Sequence, residues 1–275
     1  MKVKTKSKGR ALVTGASRGI GKAVCEALVR KGYEVIGTCR NPAKMKNEEK
    51  VEGVTYLPLD LTDGRSIETL VKRVKLVDLL VNNAGTSMIG PAEEVKPEAA
   101  AALFDLNFFG PLRLTQGFLA TMREKRKGTI VFIGSMSGET AVVFSSIYAA
   151  SKAALRALAR TMRLEVREFG INVTVLAPFH IRTTIPQVRQ FSDRSAYIAK
   201  LKRVKESRDR QIAAAPGPKV VAGKLLQILE LPRPRFFYPV GKGAEMNAFF
   251  IRHLPRGMVD SIVNHMFDES RPERV

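Results

Sequence analysis

One glycine-rich stretch, TGASRGIG at residues 14–21, constrains this chain more than any other, because of what stands on either side of it. Before it, residues 10–15 (RALVTG) form an apolar, β-branched run that reads as a buried strand. After it, residues 19–32 carry apolar positions at helical spacing and close on Gly32, a helix-ending residue. Glycine reaches positive φ without strain and lets a phosphate approach a helix N-terminus closely. Gly15, Gly19 and Gly21 between strand and helix are therefore expected to form a dinucleotide-binding turn within a βαβ unit.

The rest of the chain repeats the alternation. Strands are expected at residues 33–40, 54–60, 76–85, 128–135 and 171–178, each apolar along most of its length. Between them lie helical patterns: residues 63–75, a long segment at 97–125 weakly interrupted at 109–111, and residues 148–170. Strands apolar on both faces and separated by helices predict a doubly wound parallel sheet with helices on both faces, a three-layer sandwich. Past Pro178 the pattern loosens into a basic helical stretch at 189–211, a helix at 216–230, a short last strand at 235–240 and an apolar tail from Ala244. No repeat or long low-complexity linker divides the 275 residues. One domain, 1–275, is expected, with 179–275 supplying the substrate segment and tail.

Composition narrows the setting. No run of about 18 apolar residues suggests a membrane span, and the basic N-terminus lacks the apolar core of a secretory signal. Two cysteines, Cys25 and Cys39, offer neither a disulfide framework nor metal-ligand spacing, so a cytoplasmic protein without a metal is expected. The net charge of +20 favours anionic partners or is simply a solvated surface; both stay open. With no recognition motif, specific nucleic-acid binding is not expected.

The residue types around the turn favour one form of the dinucleotide. An acid about 20 positions past the glycines would bind the adenosine ribose 2′-hydroxyl of NAD. Here the second strand ends Cys39-Arg40, with no carboxylate. The planar donors of Arg40, with Arg18 inside the turn, suit a 2′-phosphate and favour NADP(H).

Further along stand Asn82-Asn83-Ala84-Gly85, Asn107 in FDLNFFGP, Ser135 in IGSMSG, and Tyr148 four positions before Lys152 in YAASK. In this order, behind TGASRGIG, they resemble the short-chain dehydrogenase/reductase family, and loosely its hydroxysteroid and retinol dehydrogenase-type members. The match covers residues 10–184. The resemblance implies a Rossmann-type sheet of about seven strands, hydride transfer between a nicotinamide cofactor and a carbonyl or alcohol, and a homodimer or homotetramer.

Chemistry gives each residue a part. A free tyrosine titrates near 10, and a neighbouring ammonium favours its phenolate, bringing Tyr148 toward useful proton transfer. Lys152 tunes it and, as the family implies, holds the nicotinamide ribose. Ser135 hydrogen-bonds the substrate oxygen where charge develops. The resemblance gives Asn107 a water that relays protons to Lys152. Taken singly, each would read as a turn, packing or surface residue. By position, cofactor contacts are expected from Gly15, Ser17, Arg18, Gly19, Ile20, Gly21, Arg40, Asp60, Leu61, Asn83, Ala84, Gly85, Pro178, Ile181 and Thr183, besides Tyr148 and Lys152. Thr14 and Asn83 are expected to brace the strands.

Substrate contacts are expected from Ser135, Met136, Val142, Tyr148, Phe179 and His180. One departure stands out: Phe179 follows Pro178 where the family usually has glycine, which brings the local cofactor geometry into question. His180 faces either substrate or solvent. Apolar residues in the loop before Tyr148, in 185–198 and in 246–258 suit a hydrophobic steroid, retinoid or long-chain carbonyl, or are plain core. The basic stretch at 200–210 suits peripheral contact with anionic membrane or with an acyl carrier protein, the latter making a 3-oxoacyl reductase. A non-catalytic NADP-binding sensor or scaffold is the reading from another class.

Overall fold

The computed structural model describes residues 7–255, 257–259 and 261. In chain order its elements are β1 (Arg10–Thr14), α1 (Gly19–Arg30), β2 (Glu34–Cys39), β3 (Val54–Pro58), α2 (Gly64–Val74), β4 (Leu79–Asn82), β5 (Ser87–Ile89) and α3 (Pro97–Phe104). A π-helical turn (Asp105–Phe109) leads into α4 (Gly110–Glu124), then β6 (Gly128–Ile133), α5 (Ser146–Glu165), β7 (Ile171–Pro178) and β8 (Gln187–Arg189). The chain continues through α6 (Ile198–Ala213), α7 (Lys219–Leu229), β9 (Phe237–Val240) and α8 (Ala244–His253).

Seven strands form one parallel sheet in the order β3-β2-β1-β4-β6-β7-β9. The fold is thus Rossmann-type. Apolar side chains project from both faces because helices cover both. On one face, Leu12, Leu80, Ile130 and Phe132 pack with Leu70, Leu114, Phe118 and Leu155 of α2, α4 and α5. On the other, Val13, Val81 and Leu176 pack with Val24, Leu28, Val221 and Leu225 of α1 and α7. Phe118 and Phe132 are fully buried, and each such side chain stabilises the fold by roughly 1.5–3 kcal/mol.

The strand order reverses at β1, which pairs with β2 on one side and β4 on the other. A crevice opens there outside the carboxyl ends of both strands, the place where parallel α/β sheets take ligands. β7 keeps its expected bounds, the other strands lose one or two residues, and β4 loses three at each end for a reason. Asn83, Ala84 and Gly85 leave the ladder to line the crevice, although they run straight on from the apolar strand in sequence.

Two features fall outside the expected pattern. The weak interruption in the helix at 97–125 is a π turn, which re-phases the helix so that Asn107 points inward and is 1 % exposed. Residues 87–89 and 187–189 also form a small parallel pair, β5 with β8, clipping the segment after β7 to the loop after β4. Short exposed runs such as Gln187–Arg189 carry too little alternation to show a strand.

Candidate active site

The glycine turn sits at the crevice mouth as its residue types require. Gly15 and Gly19 adopt φ of +66° and +55°, and Ala16 N–H donates to the Thr38 carbonyl at 2.9 Å, docking the turn on β2. A Cβ on Gly21 would stand 2.2 Å from the Gly15 carbonyl oxygen, so only glycine lets α1 approach β1 this closely. Gly21→Ala is expected to cost about 1–3 kcal/mol of stability, read by urea unfolding; a neutral effect would mean the turn relaxes freely.

α1 begins without a side-chain cap and without an acid in its first turn. Its free N–H groups and positive dipole end are left for an anion. The turn therefore fits the diphosphate of a dinucleotide. Ser17 and Ile20 are half-buried beside it, and Thr183 comes over it, its Cβ 3.7 Å from where a Cβ on Gly19 would stand. Ile181 is buried below, and Pro178 ends β7 at the same edge.

Thr14 and Asn83 lock β1 to the loop after β4. The Thr14 hydroxyl accepts from the N–H groups of Asn83 and Ala84, both at 2.9 Å, and Asn83 Nδ2 donates to the Thr14 carbonyl at 2.7 Å. Gly85 follows, close enough to Asn107 that a Cβ would stand 2.9 Å from its Oδ1.

At the far end of the crevice, Arg40 and Arg18 are exposed. Asp60 accepts from the Thr62 hydroxyl and backbone N–H at 2.7 and 2.9 Å; these bonds, and then Arg40, hold its carboxyl below the usual range. Leu61 is buried beside it.

The expected catalytic residues converge from three elements. Ser135 follows β6, where its Oγ accepts from Ser137 N–H at 3.1 Å. Tyr148 and Lys152 lie one turn apart on α5, and Asn107 comes from the π turn. The ammonium of Lys152 donates to the Ile133 carbonyl at 3.0 Å and lies 5.9 Å from the centre of the Tyr148 ring. Burial raises the Tyr148 phenol above its ordinary value, while hydrogen bonding from Ser135 and then the charge of Arg208 pull it back. Asn107 Nδ2 donates to the Thr86 carbonyl and Ser151 Oγ at 2.9 and 3.2 Å, while its Oδ1 accepts from Thr86 N–H at 3.0 Å. Its side chain thus braces the loop after β4 against α5, directly beside Lys152.

Lys152 is 6 % exposed, and desolvation lowers its ammonium to about 8. The unfolded chain titrates this group near 10.4. Between these values the unfolded chain holds a proton that the folded chain has released. Stability therefore rises with pH across that window, and the cost is fully present below it, at about 3 kcal/mol. Lys152→Met is expected to flatten this rise in the cofactor-free protein between about pH 8 and 10, measured by urea unfolding. An unchanged slope would place the titration elsewhere.

Phe179 is accommodated without left-handed backbone. Its N–H donates to the Val240 carbonyl at 2.8 Å, extending the β7–β9 pairing, and the positive φ of +43° falls on His180 instead. The two rings pack 4.2 Å apart, and burial, then Arg208, lowers the basicity of His180. Met136 is buried beneath Ser135, and Val142 is half-buried in the loop that leads to α5.

The apolar residues of 185–198 and 246–258 do not form one closed wall. Ile185, Val188, Met246, Phe249, Phe250 and Met258 are exposed, whereas Phe191, Tyr197, Ile198, Ile251 and Leu254 are half-buried. Helical spacing alone could not separate an enclosed lining from an open apolar face. Arg208 of α6 is a site residue that the sequence reading did not single out. Its signal was its place on the stripe of Leu201 and Val204, the buried face of an otherwise charged helix.

Comparison with known proteins agrees with this geometry. The short chain dehydrogenase family matches residues 9–192. The chain is 37 % identical over 195 residues to the short-chain dehydrogenase ptmH of Penicillium ochrochloron, covering 68 % of this chain and 72 % of that one. It is 34 % identical over 211 residues to a 3-oxoacyl-(acyl-carrier-protein) reductase of Salmonella typhimurium, covering 74 % and 86 %. A short-chain dehydrogenase structure from Streptomyces avermitilis superposes with a TM-score of 0.78 at 32 % identity, covering 97 % of this chain and 96 % of that one. A metagenomic short-chain oxidoreductase in complex with NADP superposes with a TM-score of 0.67 at 26 % identity, covering 84 % and 96 %. A parallel sheet with this switch point and glycine turn is a dinucleotide-binding arrangement. This chain belongs to the short-chain dehydrogenase family.

Proposed function

We propose that the chain is an NADP(H)-dependent oxidoreductase that interconverts a carbonyl and a primary or secondary alcohol on a hydrophobic substrate. The observation that carries this reading is the convergence of the Ser135 hydroxyl, the Tyr148 phenol and the buried Lys152 ammonium beside the glycine-turn crevice. When bound, the nicotinamide supplies or accepts the hydride. Tyr148 passes its proton to the carbonyl oxygen in reduction and takes it back in oxidation. Ser135 holds the same oxygen, where negative charge grows. Lys152, held by the Ile133 carbonyl, stabilises the phenolate left behind, and Asn107 would hold the water that relays protons to it.

Arg40 and Arg18 would hold the 2′-phosphate of NADP(H), supported by the absence of any acid at the end of β2. A homodimer or homotetramer is part of the proposal, since Phe109 and Leu164 leave apolar surface at the start of α4 and on α5. Sedimentation tests it.

The activity test follows NADPH oxidation against steroid, retinal, long-chain, acyl-thioester and small aromatic carbonyls. Turnover of one class, lost in Tyr148→Phe while NADPH still binds, supports the reading. Wild-type inactivity on every class, with NADPH bound, would sink it. The acyl-thioester arm covers a second reading, a 3-oxoacyl reductase. It is favoured by the Salmonella typhimurium relative and by exposed Lys200, Lys202, Arg203 and Arg210, which suit an acidic carrier protein. No helix among the described residues is long and apolar enough to cross a membrane, so lipid contact would be peripheral.

A further inference from the structure

α6 carries a cation where its neighbours carry core. Leu201 and Val204 are its buried residues, and Arg208 continues their stripe inward. Its guanidinium Nη1 donates to Ser145 Oγ at 3.1 Å. Ser145 is 2 % exposed and stands at the N-cap of α5, three residues before Tyr148. Arg208 thus enters the active site from the segment that covers it, with Tyr148 and His180 both within reach of its charge.

This position is costly for the protein alone. Asp209, the nearest acid in sequence, is taken by Lys205 at 2.5 Å, and among the described residues no carboxylate lies within ion-pairing distance of Arg208. Its described hydrogen bond goes to a neutral hydroxyl, which leaves most of its five donors for another acceptor. The guanidinium also faces the positive end of a 20-residue helix, where a cation is disfavoured. A partly desolvated, unpaired charge of this kind is stabilised when a ligand brings the opposite charge.

We propose that Arg208 is a specificity-determining residue, and that the substrate of this site is an apolar carbonyl compound bearing a carboxylate. The carboxylate rests on the guanidinium while the carbonyl oxygen sits between Ser135 and Tyr148. This rests on the reading of the site as a carbonyl-binding one, and narrows its hydrophobic substrate to an oxo acid. It also explains why an arginine, with its forked donors, stands at a buried-stripe position where a lysine would present only a point charge.

The test separates the two readings. First, binding of 4-phenylbutanoate and of its methyl ester to the NADPH-loaded protein is measured by calorimetry, in wild type and in Arg208→Gln. The acid is expected to bind at least about ten-fold more tightly than the ester in wild type, and equally in the variant. Equal binding in wild type, no measurable binding of either, or a preference retained in Arg208→Gln overturns the proposal. Second, NADPH oxidation is followed with 4-oxo-4-phenylbutanoate and its methyl ester. Arg208→Gln should raise KM for the acid roughly ten- to hundred-fold more than KM for the ester. A loss shared equally by both compounds would assign Arg208 a merely structural role and overturn the proposal. If binding shows the preference while no carbonyl is reduced, Arg208 keeps its role and the enzyme reading falls. If neutral carbonyls are reduced without any preference for the acid, the reverse holds.

Discussion

Tyr148→Phe is expected to lower kcat for carbonyl reduction by about 10²–10⁴-fold, the range contributed by a positioned proton donor. The substitution removes one hydroxyl and keeps the ring. The structural bond at this position uses the backbone, since Ser151 Oγ donates to the Tyr148 carbonyl at 2.7 Å. The fold and the glycine turn should therefore be untouched, and NADPH affinity should stay within about two-fold of wild type. Stopped-flow NADPH oxidation with fluorescence titration of the cofactor reads both quantities. Full turnover in the variant would remove Tyr148 from proton transfer and leave Ser135 to be tested in its place.

Arg40→Asp should change cofactor choice rather than rate. The variant would place a carboxylate beside Asp60, which is already held in its charged form by Thr62 and Arg40. Two neighbouring carboxylates repel a 2′-phosphate, whereas a carboxylate there can accept from a ribose 2′-hydroxyl. A drop of about 30- to 10³-fold in kcat/KM for NADPH is expected, with NADH equal or improved. The ratio of kcat/KM for the two cofactors is the measurement. A ratio unchanged from wild type would exclude Arg40 from the choice and leave Arg18 as the remaining candidate.

Much of this molecule was legible in the sequence because its signals are local. The turn residues, the β-branched runs and the four-residue spacing of Tyr148 and Lys152 each specify a backbone conformation or a shared helix face within a few positions. What stayed hidden depends on long-range contact. The β5–β8 pair joins residues about 100 positions apart through two three-residue runs, β5 buried and β8 exposed. The π turn at Asn107 is a phase slip of one residue within an otherwise helical pattern. Arg208 looked like one charge among many in a basic stretch, and only its place on the Leu201–Val204 stripe set it apart. Helical spacing left Met246, Phe249 and Phe250 open as pocket lining or core, and their exposure stayed hidden for a related reason. Periodicity gives a face but not what lies opposite it.

The β5–β8 clip gives residues 190–236 a modular character. Residues 190–236 leave the body just after β8 and rejoin it at β9, both anchored by parallel pairing. Between the anchors the chain contributes α6, with Arg208, and α7, which packs on α1. The part from 190 to 214 can therefore be exchanged as a cassette, its ends pinned at Gln190 N–H to the Ile89 carbonyl and at Arg182 N–H to the Pro216 carbonyl. With the Arg208 contact proposed above, substrate choice would change with this cassette while the glycine turn between β1 and α1 stays as it is.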